Sequence, residues 1–394
     1  MKTVLVALGT RPEAIKLASV ILELKKYPED FRTIVCATGQ HRQMLDQVLA
    51  FFGIEPDHDV DVMVEDQSLF ELTAGMLTGL RNILEREAPD IVLVQGDTTT
   101  TFVASLAAFY LKIPIGHVEA GLRTHDKHHP FPEEKNRHLV SVLADFHFAP
   151  TQWAAQNLIA EGIPQDSIWT TGNTGIDSLF KALDLIRSPS ANYGRWNIDN
   201  EDIALPEPAA GTKKSERRLI LVTGHRRESF GDGFQRICRA LRKIAQANPD
   251  VDIVYPVHLN PNVRRPVYDI LGQREDTDPS NVHLIEPLDY PRFVRLMADA
   301  HLVLTDSGGI QEEAPSLGKP VLVLRDTTER PEGINAGSVK LVGTDTDTIV
   351  RETQALLENG EQYTRMASRQ NPYGDGTAAT QIVALLKHNP KFQI

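Results

Sequence analysis

The chain has 394 residues, 41% of them hydrophobic and 24% charged, a length for two or three domains with each half long enough to bury its own core. Its 53 acidic against 41 basic residues leave a formal charge of −12, which argues against a nucleic-acid partner but still allows a small phosphorylated ligand in a locally basic cleft. No apolar stretch approaches the ~18 residues of a membrane span, and Met1 to Gly9 reads as a first strand rather than a signal peptide, so the expected location is the cytoplasm, with no membrane partner.

Short apolar runs bounded by turn residues alternate with segments of helical period. Val4–Leu8, Thr33–Ala37, Asp90–Val94, Ile113–Val118 and Asp145–Ala149 read as buried strands. Between the first two, Ile15, Ala18, Ile21 and Leu22 fall on one helical face. Strands that are apolar throughout indicate a parallel sheet covered on both sides. From about Arg187 to Arg218 the chain is rich in Ser, Pro, Asn and Gly and reads as a surface loop. The pattern then restarts with Leu219–Val222, Asp252–Val257, His283–Ile285, Leu302–Thr305 and Pro320–Leu324. Phe234, Ile237, Leu241 and Ile244 form the apolar face of one intervening helix. Two successive βα series predict an α/β protein of two Rossmann-like, doubly wound parallel-sheet domains. Gly374–His388 reads as a turn followed by a helix. The two cysteines, Cys36 and Cys238, fall in apolar segments and read as buried thiols.

In open α/β sheets ligands bind beyond the carboxyl ends of the strands, so the residues following each strand carry the chemistry. After the first strand, Gly9-Thr10-Arg11-Pro12-Glu13 starts a capped helix, with Arg11 and Lys16 near its N-terminus. That arrangement is either an anion site or a helix with two solvated cations. Asp97 follows the Asp90–Val94 strand and Glu119 the next one, and Pro130-Phe131-Pro132 presents Glu133 and Glu134. Acids converging on one crevice can do general acid/base work; taken singly, each is more readily a cap or a solvated loop acid, and it is the three at sheet-edge positions that bring the catalytic reading level. His125-Asp126-Lys127-His128-His129 matches no metal-ligand spacing and reads as a polar loop, so no metal is expected. His225-Arg226-Arg227 at a strand end can face a diphosphate or simply solvent. Ser307-Gly308-Gly309 exposes backbone N–H groups at a helix start, which suits a phosphate, and Glu313 sits one turn further in, within reach of ribose hydroxyls. No G-x-G-x-x-G follows a strand, so no nicotinamide cofactor is expected.

Together these segments resemble the non-hydrolysing UDP-N-acetylglucosamine 2-epimerases. The resemblance runs from Gly9 to about Ala378 through GTRPEAIK (9–16), GQHRQML (39–45), QGDTTT (95–100), HVEAGLRT (117–124), PFPEEKNR (130–137), TGHRRE (223–228), DSGGIQEE (306–313), TERPE (328–332) and NPYGDG (371–376). It implies a GT-B fold, two Rossmann-like domains facing across a substrate cleft. Residues 1–172 plus 372–394, with the last helix crossing back, would form one domain and residues 173–371 the other. By motif it implies a catalytic set of Asp97, Glu119, Glu133 and His225. It implies UDP-sugar contacts from Arg11, Lys16, Ser307, Gly308, Gly309 and Glu313, with Leu288 and Phe293 at the uracil. It places Gln40, His41 and Gln43 where bacterial members bind a second, activating UDP-N-acetylglucosamine. A homodimer and no cofactor are further implications.

The implied reaction is reversible epimerisation at C2 to UDP-N-acetylmannosamine, for polysaccharide precursor synthesis. The C2 proton is poorly acidic until UDP leaves C1. Elimination to 2-acetamidoglucal and re-addition of UDP therefore needs a diphosphate clamp and proton carriers on both faces of the ring. The alternatives are epimerisation of a related UDP-diacetamido sugar, a hydrolysing epimerase or glycosyltransferase on the same fold, and a UDP-sugar-binding regulatory module without turnover.

Overall fold

An unbroken apolar run, Val4–Leu8, is buried on both sides and seeds the first sheet. The computed structural model describes residues 1–39, 42–62, 67–188, 217–272 and 279–390. The chain divides into two compact units, one comprising Met1–Lys181 with Tyr373–Ile394 and the other Ala182–Pro372.

The first unit is built on seven parallel strands: β1 (Lys2–Leu8), β2 (Phe31–Ala37), β3 (His58–Asp59), β4 (Ile91–Gln95), β5 (Ile115–Val118), β6 (Phe146–Ala149) and β7 (Ile168–Thr170). Their order is β3-β2-β1-β4-β5-β6-β7. Helices connect them: α1 (Arg11–Leu24), α2 (Arg42–Phe51), α3 (Leu69–Glu87), α4 (Thr99–Tyr110), α5 (Glu133–Leu143) and α6 (Gln152–Ala160), with α7 (Thr174–Arg187) following β7. The strand order reverses between β1 and β4, which makes their carboxyl ends the switch point of this sheet. In α1 the buried face is Ala14, Leu17, Ala18, Ile21 and Leu24, whereas Ile15 and Leu22 are only half-buried. The predicted stripe was rotated by part of a turn.

The second unit has six parallel strands, β8 (Arg218–Thr223), β9 (Val251–Pro256), β10 (Val282–Ile285), β11 (Leu302–Thr305), β12 (Val321–Val323) and β13 (Val339–Leu341). Their order is β10-β9-β8-β11-β12-β13, so the switch point lies between β8 and β11. The connecting helices are α8 (Asp232–Ala247), α9 (Pro261–Leu271), α10 (Tyr290–Asp299), α11 (Gly308–Ser316) and α12 (Pro331–Ala336), and α13 (Thr346–Glu358) and α14 (Gly360–Ala367) follow β13. Phe234, Ile237, Leu241 and Ile244 of α8 are all buried in the core of this unit. The predicted surface loop before β8 falls largely on residues 189–216, outside the described residues.

The last helix, α15 (Ala378–His388), packs against α1 in the first unit. Its start is held by the Ala379 amide, which donates to the Asp177 Oδ1 at 2.8 Å, and by the Asn173 amide, which donates to the Tyr373 carbonyl at 2.7 Å. Burial pushes the Asp177 carboxyl up to about 6. Cys36 and Cys238 are free and buried, and burial raises both thiols to about 12, which leaves them inert at neutral pH.

Candidate active site

At the first switch point, the turn after β1 and the turn after β4 stand side by side. Glu13 is buried and its Oε2 accepts from the amides of Gly9 at 3.1 Å and Thr10 at 2.8 Å. Its Oε1 accepts from the hydroxyls of Thr98 at 2.6 Å and Thr101 at 3.2 Å. One carboxylate thus ties the two strand-end turns together. It presents Arg11, exposed in the first turn of α1, at the edge of the sheet.

Asp97 follows β4 through Gly96, whose φ of +75° only glycine adopts without strain. The Gly96 carbonyl lies 2.8 Å from Nε2 of His117 on β5. Burial drives His117 down to about 3, so the ring is neutral and acts as a strut. Asn136 donates to the Asp97 carbonyl at 2.9 Å, and Arg137 reaches the Asp97 Oδ2 from Nε at 2.8 Å and from Nη2 at 2.7 Å. Arg137 Nη1 also bonds the buried Glu134 at 2.9 Å. Burial works to raise Glu134, but the amides of Thr124 and His125 and the charge of Arg137 outweigh it and hold the carboxyl below its usual range.

Glu119, just past β5, is nearly buried and has a left-handed φ of +62°, a strained setting for a non-glycine residue. Its Oε2 takes a hydrogen bond from Gln95 at 3.1 Å and pairs with the Lys16 ammonium from α1. Lys16, expected at a phosphate, is therefore bonded to a carboxylate here. Glu133 opens α5, and its Oε2 is buried with no hydrogen-bond partner among the described residues. Asp97, Glu119 and Glu133 follow β4, β5 and the turn into α5, so the first unit carries all of them on its strand-end side. The His125–His129 loop is pinned by Glu134 and by the Thr124 hydroxyl, which donates to the His129 carbonyl at 2.6 Å.

At the second switch point, His225 follows β8 and Asp306 follows β11. The Asp306 Oδ2 accepts from the amides of His225 at 2.7 Å and Arg226 at 2.8 Å, and its Oδ1 lies 3.1 Å from the His225 Nδ1. Burial works to raise Asp306, but the imidazole and these amides outweigh it and keep the carboxyl below its ordinary value. His225 stacks on His258 with 5.7 Å between ring centroids and 24° between planes. Ser307 caps α11 without a side-chain hydrogen bond, so the amides of Gly308 and Gly309 open an anion-accepting helix start. A Cβ on Gly308 would stand 3.2 Å from the Glu329 Oε1 and 3.3 Å from the Arg330 Cζ, which explains a glycine there. Arg330 bonds the buried Glu312 at 2.7 Å, Arg325 bonds Glu329 at 2.7 Å, and Arg226 stands 3.6 Å from Glu329.

Glu313 lies in α11, half-buried. Leu288 and Phe293, also half-buried, follow the edge strand β10, two strands from β8. Gln40 and His41 lie outside the described residues; Gln43 is in α2, its side chain not among those described. Sequence reasoning overlooked Gln95, Asn136, Arg137 and Asp306. The available signal for Asp306 was an aspartate directly following an apolar strand; Arg137 carried none.

A family model described as UDP-N-acetylglucosamine 2-epimerase matches residues 22–387. The UDP-N-acetylglucosamine 2-epimerase of Salmonella typhimurium is 54% identical over 384 residues, with 98% of each chain covered. The crystal structure of UDP-GlcNAc 2-epimerase from Neisseria meningitidis bound to UDP-GlcNAc is 50% identical with a TM-score of 0.86, covering 98% of this chain and 100% of that one. That of the Methanocaldococcus jannaschii UDP-GlcNAc 2-epimerase in complex with UDP-GlcNAc and UDP is 30% identical with a TM-score of 0.77, covering 98% and 100%.

Proposed function

Because the chain belongs to the UDP-N-acetylglucosamine 2-epimerase family, we propose that it interconverts UDP-N-acetylglucosamine and UDP-N-acetylmannosamine by eliminating and re-adding UDP. The C1–O bond breaks with its electron pair passing to the diphosphate. The C2 proton passes to a carboxylate and a C1–C2 double bond forms. The reverse steps return UDP to C1 and deliver a proton to the opposite face of C2. Asp97, Glu119 and Glu133 are the proton carriers. Arg11, Lys16, His225 and the Ser307-Gly308-Gly309 helix start hold the departing diphosphate. Glu313 faces the ribose, and Leu288 and Phe293 the uracil. Gln40, His41 and Gln43 belong to the binding site of an activating second UDP-N-acetylglucosamine.

The observation that carries this reading is the grouping of Asp97, Glu119 and Glu133 on the strand-end side of one sheet, each in a different polar setting. Proton transfer on two faces needs groups whose environments differ. The test is incubation with UDP-N-acetylglucosamine in D2O followed by NMR. Deuterium at C2 in both epimers is expected. Epimerisation that leaves C2 fully protonated would overturn the elimination route.

The active form is a homodimer closed over the α4 face. Among its 12 residues α4 has no charged side chain, yet Phe109 and Tyr110 are 54% and 64% exposed, and α5, which packs against α4, exposes Leu139 and Val142. A helix apolar all round is ordinarily covered on every side, and an isologous contact with a second copy supplies that cover.

A further inference from the structure

We propose that Glu134 is a positioning residue for Asp97: it anchors Arg137 so that the guanidinium grips one oxygen of Asp97 and leaves the other open to the C2 proton. The inference rests on the reading of Asp97 as a proton carrier.

Glu134 and Arg137 lie three residues apart on α5, whereas Asp97 lies in the turn after β4, 40 residues from Arg137 in the chain. Asn136 donates to the Asp97 carbonyl, which ties that turn to α5 through its backbone. The side chain is held separately. Nε and Nη2 of Arg137 both converge on the Asp97 Oδ2, at 2.8 and 2.7 Å. A guanidinium that meets a lone carboxylate prefers a fork, with one N–H to each oxygen. Here the remaining nitrogen, Nη1, is held 2.9 Å from the Glu134 Oε2, and the fork falls on a single Asp97 oxygen. The Asp97 Oδ1 has no hydrogen-bond partner among the described residues, and the side chain is 28% exposed. When Asp97 acts as base, the C2 proton lands on Oδ1. The C2–H electron pair becomes the C1–C2 double bond, and the C1–O pair leaves with UDP. The charges act in the same sense. One guanidinium shared by two carboxylates leaves the three groups with a net negative charge, which favours the arrival of a proton.

Glu134 also accepts from the amides of Thr124 at 3.1 Å and His125 at 3.0 Å. For that task alone a glutamine would serve, at a lower cost of burial. It would not serve Arg137. With its oxygen on the two amides, its NH2 group would meet Nη1 donor against donor, and the guanidinium would be released to swing onto both oxygens of Asp97. Only a carboxylate accepts from the loop and from Arg137 at once.

The test uses the full chain with Glu134→Gln, Asp97→Asn and the double variant, and with Arg137→Gln as a second approach to the same contact. In Glu134→Gln, kcat should fall by about 10–100-fold while calorimetric UDP affinity stays within about threefold, because the misplaced oxygen serves the sugar and not the nucleotide. Arg137→Gln leaves the bonds from Glu134 to Thr124 and His125 in place, so it should show the same split with the loop still pinned. In the Asp97→Asn background, Glu134→Gln should cost little further turnover, since it acts through that carboxylate. The proposal is overturned by an unchanged kcat in Glu134→Gln, by a Glu134→Gln chain that fails to fold or loses UDP affinity in parallel with kcat, or by a penalty that persists in full in the Asp97→Asn background. If Asp97→Asn itself turns over normally, the proton-carrier reading falls. If Asp97→Asn is slow while Glu134→Gln and Arg137→Gln are both fast, the positioning role alone falls.

Discussion

Glu13 offers a quantitative check on the strand-end architecture. Its carboxylate takes hydrogen bonds from two buried amides and two hydroxyls. In Glu13→Ala the hydroxyls can fall back on existing partners: the Thr101 proton, shared between Glu13 and the Gln95 carbonyl, can settle on that carbonyl at 2.6 Å, and Thr98 can turn to the Thr101 oxygen at 3.0 Å. The amides of Gly9 and Thr10 cannot. At about 1–3 kcal/mol for each stranded donor, with a water entering the hole toward the lower end, the loss is about 2–4 kcal/mol. Glu13→Gln can keep its oxygen on the amides and donate its NH2 to the hydroxyls, so it should cost only about 1 kcal/mol. The pH dependence has a definite sign. Burial raises the folded-state Glu13 above its ordinary value of 4.5, so the unfolded chain ionises first as pH rises. Wild type therefore loses stability as pH climbs from that value through the folded one, and Glu13→Gln does not. Its deficit should shrink with rising pH. Urea unfolding, read by native-state hydrogen exchange at the β1 and β4 amides, isolates this unit in a chain that need not unfold in one step. A cost for Ala below about 1 kcal/mol, equal costs for Ala and Gln, or a Gln deficit that grows with pH would refute the assignment.

Asp97→Asn should lower turnover by about 10²–10⁴-fold while calorimetric UDP affinity stays nearly constant, and equal losses would make Asp97 a binding residue instead. Gly9→Ala places a Cβ 2.2 Å from the Thr100 Oγ1 and 2.3 Å from the Thr38 Oγ1, inside the hydrogen bond joining those hydroxyls, so thermal melting should show a loss of about 1–3 kcal/mol. Glu329 is opposed by burial, but Arg330 and Arg325 hold it down at about 2, so its charge stabilises the fold above the ordinary value of 4.5 and that contribution fades as pH falls toward about 2. Glu329→Gln should therefore be less stable than wild type at pH 7 and match it near pH 2 in urea midpoints; a constant gap would contradict the pairing. Phe109→Asp should shift the species seen by light scattering from dimer to monomer, and an unchanged dimer would move the interface away from α4.

The sheets were legible wherever burial made a strand apolar throughout. Each predicted run became a strand, whereas β3, β7 and β13 passed unnoticed. Those are edge strands of two or three residues with partly exposed side chains, so no apolar run announces them. The position of the site was legible for a related reason: parallel strands deliver whatever follows them to one edge of the sheet. Partner choice was not. Lys16 meets Glu119 across 103 residues, and Arg137 meets Asp97 across 40, through strand order that no local periodicity encodes. Arg137 in particular sits within a helix where a solvated cation would look the same in sequence.

The partners change what the motifs mean. Read alone, Asp97, Glu119 and Glu133 are three similar acids. In the structure Asp97 faces a guanidinium that also serves Glu134, Glu119 faces an ammonium and a carboxamide, and an oxygen of Glu133 is buried without a partner among the described residues. Different counter-groups thus give the three carboxyl groups different contacts before any substrate arrives. Arg137 and Lys16 therefore contribute to the division of labour as well as to charge balance. Lys16→Gln and Arg137→Gln should each lower kcat through a different carboxylate, so their losses should add in a double-mutant cycle; strong non-additivity would show that the carboxylates act as one undivided cluster.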